Sequence, residues 1–341
     1  MNHLRSTETP KYFHQRAWIY SKEMFPVFIY IPYVVALYFC VNVVIQILNT
    51  PIFLSAQKAC WGEGSGLEML KTIYSAGSQV VLDSTAIAGV VTAFFMMLLM
   101  RTFDDLKDFE LDANLFPHRS TARKLVLKSD IQAIGLTSFI SLIAVNLIWG
   151  QQTLMVFFIM LTYAVLTFKW FFAEQYHRDH IFVTMLDHQP VPYVINFFLI
   201  HTALATGTQY ESFQMIHFIL LLIVSMPITA WEVSRKIRSA DMETEYETFS
   251  MVIGRKTATI IPMLFFLVVG GLNMHMGSML HFSQLYFLID LLIMAIVLFF
   301  YLRFLIKPLK EYNVLTNVSL FVTTSFFLNL LINTLVQYQI F

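Results

Sequence analysis

Charge is scarce in this sequence. Of its 341 residues only 13% are Asp, Glu, Lys or Arg, where soluble globular chains carry about a quarter. The 22 acidic and 22 basic side chains cancel, so no global basic field of the kind that holds nucleic acid is present. Cysteine is nearly absent: Cys40 and Cys60 cannot build a disulfide framework. Internal repeats, low-complexity segments and Gly- or Pro-rich linkers are missing too, which leaves no sign of a separate soluble domain.

What fills the chain instead is apolar. Hydrophobic residues make up 57%, with 33 Phe and 18 Met, and the mean hydropathy is +0.65. Such a composition belongs in a bilayer. The first 25 residues carry Arg5, Lys11, Arg16 and Lys22 ahead of PVFIYIPYVVALYFCVNVVIQIL, which is too long for a signal-peptide core and lacks a small-residue cleavage site, so it reads as a retained span. Spanning the hydrocarbon takes about 20 apolar residues. Nine runs qualify, near 26–48, 78–100, 131–149, 152–168, 181–206, 214–231, 257–275, 284–302 and 317–340. The fifth holds Asp187, Pro190 and Pro192, and is expected to kink or start late.

Lys and Arg gather in cytoplasmic loops. With the N-terminus inside, 20 of the 22 basic residues fall on the cytoplasmic side, and only Lys58 and Lys71, in the loop 49–77, do not. The expected architecture is therefore all-α: a multi-pass membrane protein of nine transmembrane helices bundled around a central cavity, with a cytoplasmic N-terminus, as one domain over 1–341. Residues 1–25 form its N-terminal segment, 101–130 a first aspartate-rich loop, and 232–256 a second.

The first loop opens with RTFDDLKDFELD at the cytoplasmic end of the second span. If the helix continues, Asp104, Asp108 and Asp112 stand at i, i+4 and i+8 on one face, with Asp105 beside them. Stacked like charges repel, and their oxygens suit a hard divalent cation such as Mg²⁺, which commonly binds one or two carboxylates together with substrate phosphates. The plainer alternative is a solvated helix end with Lys107 as a local partner. Further on come Pro117, His118, Arg119, Arg123, Lys124 and Lys128, bases that suit a metal-bridged diphosphate, although the cytoplasmic bias alone would also supply them. The loop after span six mixes signs again, with Glu232, Arg235, Lys236, Arg238, Asp241, Glu243 and Glu245, then Thr248 and Gly254. Charges beside a membrane core usually mark function, and two such loops on one side could face each other.

DDLKDFELD, followed by Pro117 and Arg119, resembles the first aspartate-rich motif of the UbiA superfamily of intramembrane prenyltransferases, written NDxxDxxxD and followed by PxRP. Asp104 stands at the motif's Asn; Asp105, Asp108 and Asp112 match its aspartates; Ser120 replaces the last Pro. In the second motif, DxxxD, Asp241 resembles the second acid, Glu232 is the candidate for the first, and Thr248 and Gly254 resemble residues downstream; the rearranged ExxRKIR form marks a divergent branch. The resemblance implies an isoprenyl diphosphate substrate, Mg²⁺ held by Asp104, Asp105, Asp108, Asp112, Glu232 and Asp241, and diphosphate contacts from Arg119, Lys169, Arg235 and Lys236. It further implies Asp105, Asp108 and Asp112 as catalytic residues and an aromatic or lipid-like acceptor; Asp187 and His188, by their place near the inner face, are candidates to border it. A terpene cyclase would use the same metal site without an acceptor. A transporter is disfavoured because the acids cluster at one membrane face, where a relay would place more of them at mid-depth. Asp83, His201 and Asp290 are further ionisable residues inside the expected spans, either functional or hydrogen-bonded packing groups.

Overall fold

The computed structural model describes residues 10–49, 80–207, 212–243 and 248–340. Cys60, Lys58, Lys71, most of the loop 49–77 and Glu245 lie outside these residues. The described residues form fourteen α-helices joined by short turns and 3₁₀ segments. Eight helices are long and apolar enough to cross a membrane, with mean hydropathy between 1.5 and 2.6. Every backbone polar group in hydrocarbon must be satisfied within the segment, and helices achieve this. Their outward faces carry exposed aliphatics such as Ile148, Leu288 and Val336, as expected of surfaces that meet lipid.

The chain packs as two compact units. The first comprises residues up to Tyr38 and Asp83–Glu174. It contains α1 (Phe13–Glu23), the first part of α2 (Val27–Asn49), α3 (Ser84–Lys107), α4 (Phe109–Leu115), α5 (Lys128–Trp149) and α6 (Leu154–Phe168). Helices α3 and α5 approach closely at Gly135, where an added Cβ would lie 2.9 Å from Thr102 Oγ1. A buried bond from Asn146 Nδ2 to Thr92 Oγ1, 2.7 Å, ties the same pair further along. Helix α1 does not span. Its buried Tyr20, with Met24 and Phe25, packs against Val126 and Ile131, and Arg16 grips Asp130 at the start of α5 with two hydrogen bonds of 2.8 and 3.0 Å.

The second unit comprises Phe39–Leu82 and Gln175–Phe341. Its helices are α7 (Glu174–Asp179), α8 (Ile181–His188), α9 (Val191–Leu204), α10 (Met215–Ser234), α11 (Phe249–Val252), α12 (Arg255–Met279), α13 (Gln284–Ile306) and α14 (Leu315–Gln337). Phe266, Val297, Phe304 and Phe326 are among the fully buried residues of its core. Hydrogen bonds stitch its spans together: Ser234 Oγ lies 2.6 Å from Tyr301 Oη, and Thr323 donates to the Pro227 carbonyl at 3.1 Å.

One expectation holds at this level, the break in the fifth run, and another changes. The fifth apolar run is not one long helix but the pair α8 and α9, of 8 and 14 residues, parted at Gln189 and Pro190. Proline lacks the N–H that would continue the ladder and favours a helix start, where Pro190 caps α9 and Pro192 sits in its first turn. Asp83 is not an acid buried within a span either. It caps the first turn of α3, accepting from the Ala86 N–H at 3.0 Å, the ordinary task of an aspartate at a helix N-terminus.

Candidate active site

The aspartate stretch lies where α3 gives way to α4. Helix α3 ends at Lys107 and Asp108 turns out of helical geometry, with φ −100° and ψ 11°, so the continuous helix expected from the sequence is kinked. The stacking survives the kink. Asp108 N–H donates to the Asp104 carbonyl at 3.0 Å, Asp112 N–H to Asp108 at 2.7 Å, and Phe116 N–H to Asp112 at 2.9 Å, an unbroken chain of four-residue steps. Asp104, Asp108 and Asp112 are thereby held one turn apart, and Asp104 and Asp108 are exposed.

The repulsion built into that arrangement is offset by arginines. Asp105, 4% exposed, pairs with Arg101 one turn earlier on α3, Nη2 to Oδ1 at 2.7 Å. Its other oxygen accepts from the Tyr20 hydroxyl at 2.8 Å. Burial, and then the charge of Asp105, push the Tyr20 phenol far above its ordinary pKa, so it remains a donor. Asp112 pairs with Arg119, which also lies over the Phe116 ring at 4.1 Å. Lys107, the partner expected for the acids, sends its Nζ to the Thr167 carbonyl at 3.1 Å and over the Trp170 ring at 3.7 Å.

Beyond Pro117 the chain coils on itself. The Ser120 carbonyl accepts from both Leu125 and Val126 N–H groups, and Lys124 adopts a left-handed φ of 58° to complete the turn. This coil, Arg101 of α3 and the end of α1 line a cavity of about 580 Å³ bordered by Glu23, Met24, Arg101, His118, Arg119 and Arg123. Two of the lining guanidiniums, Arg101 and Arg123, have a buried Nε without a hydrogen-bond partner among the described residues, as has the hydroxyl of Ser120, which is not itself a lining residue. Three guanidiniums at one cavity are the donor chemistry that suits an oxyanion. Lys169, at the C-terminal end of α6, is exposed, with its Nζ 5.1 Å from the Phe168 ring.

The second loop is ordered by its own bonds. Glu232 pairs with Arg235 at 2.6 Å, the Phe249 N–H donates to the Lys236 carbonyl at 3.1 Å, and the Arg238 N–H donates to Ser250 Oγ at 2.7 Å. Asp241 is exposed in the turn Ala240–Met242, while Thr248 donates to Glu243 at 2.8 Å. Gly254 takes a φ of 80° just before α12, a conformation that costs glycine nothing. Among the possible acceptor-side residues, Asp187 holds His177 at 2.8 Å, a partner the sequence did not suggest, and His188 Nδ1 lies 2.8 Å from the Thr184 carbonyl. Deeper in this unit, Asn329 donates to buried Asp290 at 3.0 Å, whose second carboxylate oxygen has no partner among the described residues, and His201 Nδ1 lies 2.9 Å from the Phe197 carbonyl.

Among the described residues no three His, Cys, Asp or Glu side chains converge on one point. Mg²⁺ does not require that, since it commonly takes one or two carboxylates and completes its shell with water and phosphate oxygens. The exposed carboxylates of Asp104 and Asp108, one turn apart and close in sequence to an arginine-lined cavity, fit that donor pattern.

No family model matches the sequence, and no curated protein matches it. A solved structure does: that described as giving structural and mechanistic insights into the biosynthesis of digeranylgeranylglyceryl phosphate synthase in membranes. The two share 14% identity, with a TM-score of 0.57 over 94% of this chain and 98% of the other. The likeness establishes a common fold across nearly the whole chain.

Proposed function

We propose that this protein is an intramembrane prenyltransferase that binds an isoprenyl diphosphate as its Mg²⁺ complex and transfers the prenyl group to an aromatic or lipid-like acceptor. One observation carries the reading: at the polar end of a membrane-spanning helix aspartates stand one turn apart, and Asp105 and Asp112 of that stretch pair with two of the three arginines that line a cavity. The fold likeness to a synthase that works in membranes supports it.

Asp104, Asp105, Asp108 and Asp112 would hold Mg²⁺, with Glu232 and Asp241 of the second loop serving the same reaction. The bound ion supplies Lewis acidity, neutralising charge on the departing diphosphate. Every guanidinium of the cavity already has a carboxylate: Arg101 has Asp105, Arg119 has Asp112, and Arg123 has Glu23. The carboxylates of these pairs would hold the cation and the guanidiniums would hold the phosphates when a metal-bound diphosphate, which carries both signs, enters. The C1–O bond of the allylic diphosphate breaks, and its electron pair leaves with the diphosphate, held by Arg119 with Arg101 and Arg123. Lys169 is proposed as a further ligand of this anion, and Arg235 and Lys236 as the diphosphate-binding candidates of the second loop. The acceptor then bonds to C1 and loses a proton, for which Asp187 and His188, joined by His177, are the candidates. An apolar setting excludes water and so prevents simple hydrolysis of the cation. The polar loops are assigned to the cytoplasmic side, where the basic residues gather.

The test is a product screen of purified protein in detergent with geranyl, farnesyl and geranylgeranyl diphosphates, with and without a membrane lipid extract, read by mass spectrometry. Prenyl transfer should require the extract and Mg²⁺. A cyclic hydrocarbon formed without any acceptor would instead make it a terpene cyclase. Diphosphate release unchanged by Asp108→Ala would overturn both readings.

A further inference from the structure

Two of the three ion pairs at the cavity use motif aspartates, which can pass to a metal; the third does not. Glu23, the last residue of α1, lies 97 residues from Ser120 in sequence, yet its Oε1 accepts from the Ser120 N–H at 2.6 Å and its Oε2 lies 3.4 Å from Arg123 Nη2. One carboxylate thus engages a backbone N–H and a guanidinium at once, as a phosphate oxygen would. The contact exists because this chain has serine where the related motif has proline, a residue with no N–H to give. The Ser120 hydroxyl is also buried without a partner, as is Arg123 Nε.

We propose that Ser120 and Arg123 form a phosphoryl subsite of the cavity and that Glu23 occupies its anion position until a diphosphate displaces it. The inference rests on the diphosphate reading above and extends it to three residues outside the aspartate motif. Glu23 acts here as an internal competitor. Its carboxylate is one-third exposed, so it can swing to water when the phosphate enters. Release of Glu23 frees the Ser120 N–H, and the hydroxyl beside it then has an acceptor. The remaining anchors of α1, Arg16 on Asp130 and Tyr20 on Asp105, do not involve this carboxylate and keep the helix seated.

A merely structural Glu23 and a competing one predict opposite signs. Inorganic pyrophosphate with Mg²⁺ is titrated calorimetrically into the full chain in detergent, for the wild type, Glu23→Gln, Ser120→Ala and Glu110→Gln. Glutamine keeps an acceptor for the Ser120 N–H and removes only the charge. Glu23→Gln should bind pyrophosphate about fivefold more tightly or better, because a like charge has left hydrogen-bonding range of the anion. The exposed Glu110→Gln makes the same change in net charge and should shift binding less than about twofold, since exposed charges are screened. Ser120→Ala should weaken binding by about threefold or more. Equal or weaker binding by Glu23→Gln, with the wild type binding normally, overturns the assignment and leaves the diphosphate reading standing. No binding by any of the four proteins overturns both.

Discussion

The hydrogen bond from Tyr20 to Asp105 links an N-terminal helix to the aspartate motif across 85 residues of sequence, and its removal is a sharp test of the site's construction. Tyr20→Phe deletes one oxygen and leaves the ring, which is 1% exposed and packed with Met24, Phe25 and Ile131, so packing is retained. A hydrogen bond to a charged group contributes about 1.5–3 kcal/mol, whereas polar contacts between helices in a bilayer average about 0.6 kcal/mol. The acceptor is a carboxylate 4% exposed, which favours the larger figure, but Arg101 still partners it at 2.7 Å, which lowers the loss. About 1.5 kcal/mol of destabilisation is expected. The phenol's pKa is raised, so this contribution is fully present below the ordinary tyrosine value of about 10 and is lost only as pH rises beyond it; the cost should be constant from neutral pH to about 9. The assay is reversible unfolding in mixed detergent, followed by helical circular dichroism. It is repeated in an Asp105→Ala background, where the same substitution should cost less than about 0.5 kcal/mol. An equal cost in both backgrounds would show that Tyr20 acts through packing alone and would refute the coupling.

Other consequences follow from the same geometry. Gly277→Ala would place a Cβ 2.3 Å from Tyr286 Cε1, inside a fully buried ring whose hydroxyl donates to the Asn273 carbonyl, and should destabilise the protein by about 1–3 kcal/mol in the same unfolding assay. Lys124→Gly relieves a left-handed backbone and should leave stability unchanged or raise it by up to about 1 kcal/mol; a clear loss would mean the lysine side chain holds the coil. Arg119→Lys keeps the charge and loses the planar fork over Phe116, so turnover of an isoprenyl diphosphate should fall by about tenfold or more, while Arg255→Lys, at the start of α12, should fall within twofold of wild type.

The long apolar runs gave up most of the fold directly: eight of the nine coincide with single helices long enough to cross a membrane, usually within a few residues at each end. The fifth carried its own warning in Pro190 and Pro192, and it is there that the helix parts. The four-residue spacing of Asp104, Asp108 and Asp112 was equally legible, because a helical repeat is a local property that survives even the bend at Asp108. What could not be read locally is which bases meet which acids. Arg101 was visible one turn before Asp105, but a cytoplasmic basic residue has an ordinary explanation and raises no signal. Tyr20 and Glu23 stand 85 and 97 residues from their partners, and only the folded chain brings them together. Asp83 was misread because composition cannot distinguish an acid within a span from one that caps its first turn. His177 went unnoticed as the partner of Asp187, although ten residues across a pair of short helices is a spacing that two helical turns and a break readily bridge.

The most direct measurement is Mg²⁺-dependent release of pyrophosphate from geranylgeranyl diphosphate by the purified full-length protein, compared with Asp108→Ala and followed together with product mass. Release by the wild type, reduced about a hundredfold or more in the variant and accompanied by a prenylated lipid-extract product, is the expected result. Equal release by the two proteins, or none by the wild type at any prenyl chain length, would contradict the assignment of the aspartate face to diphosphate chemistry.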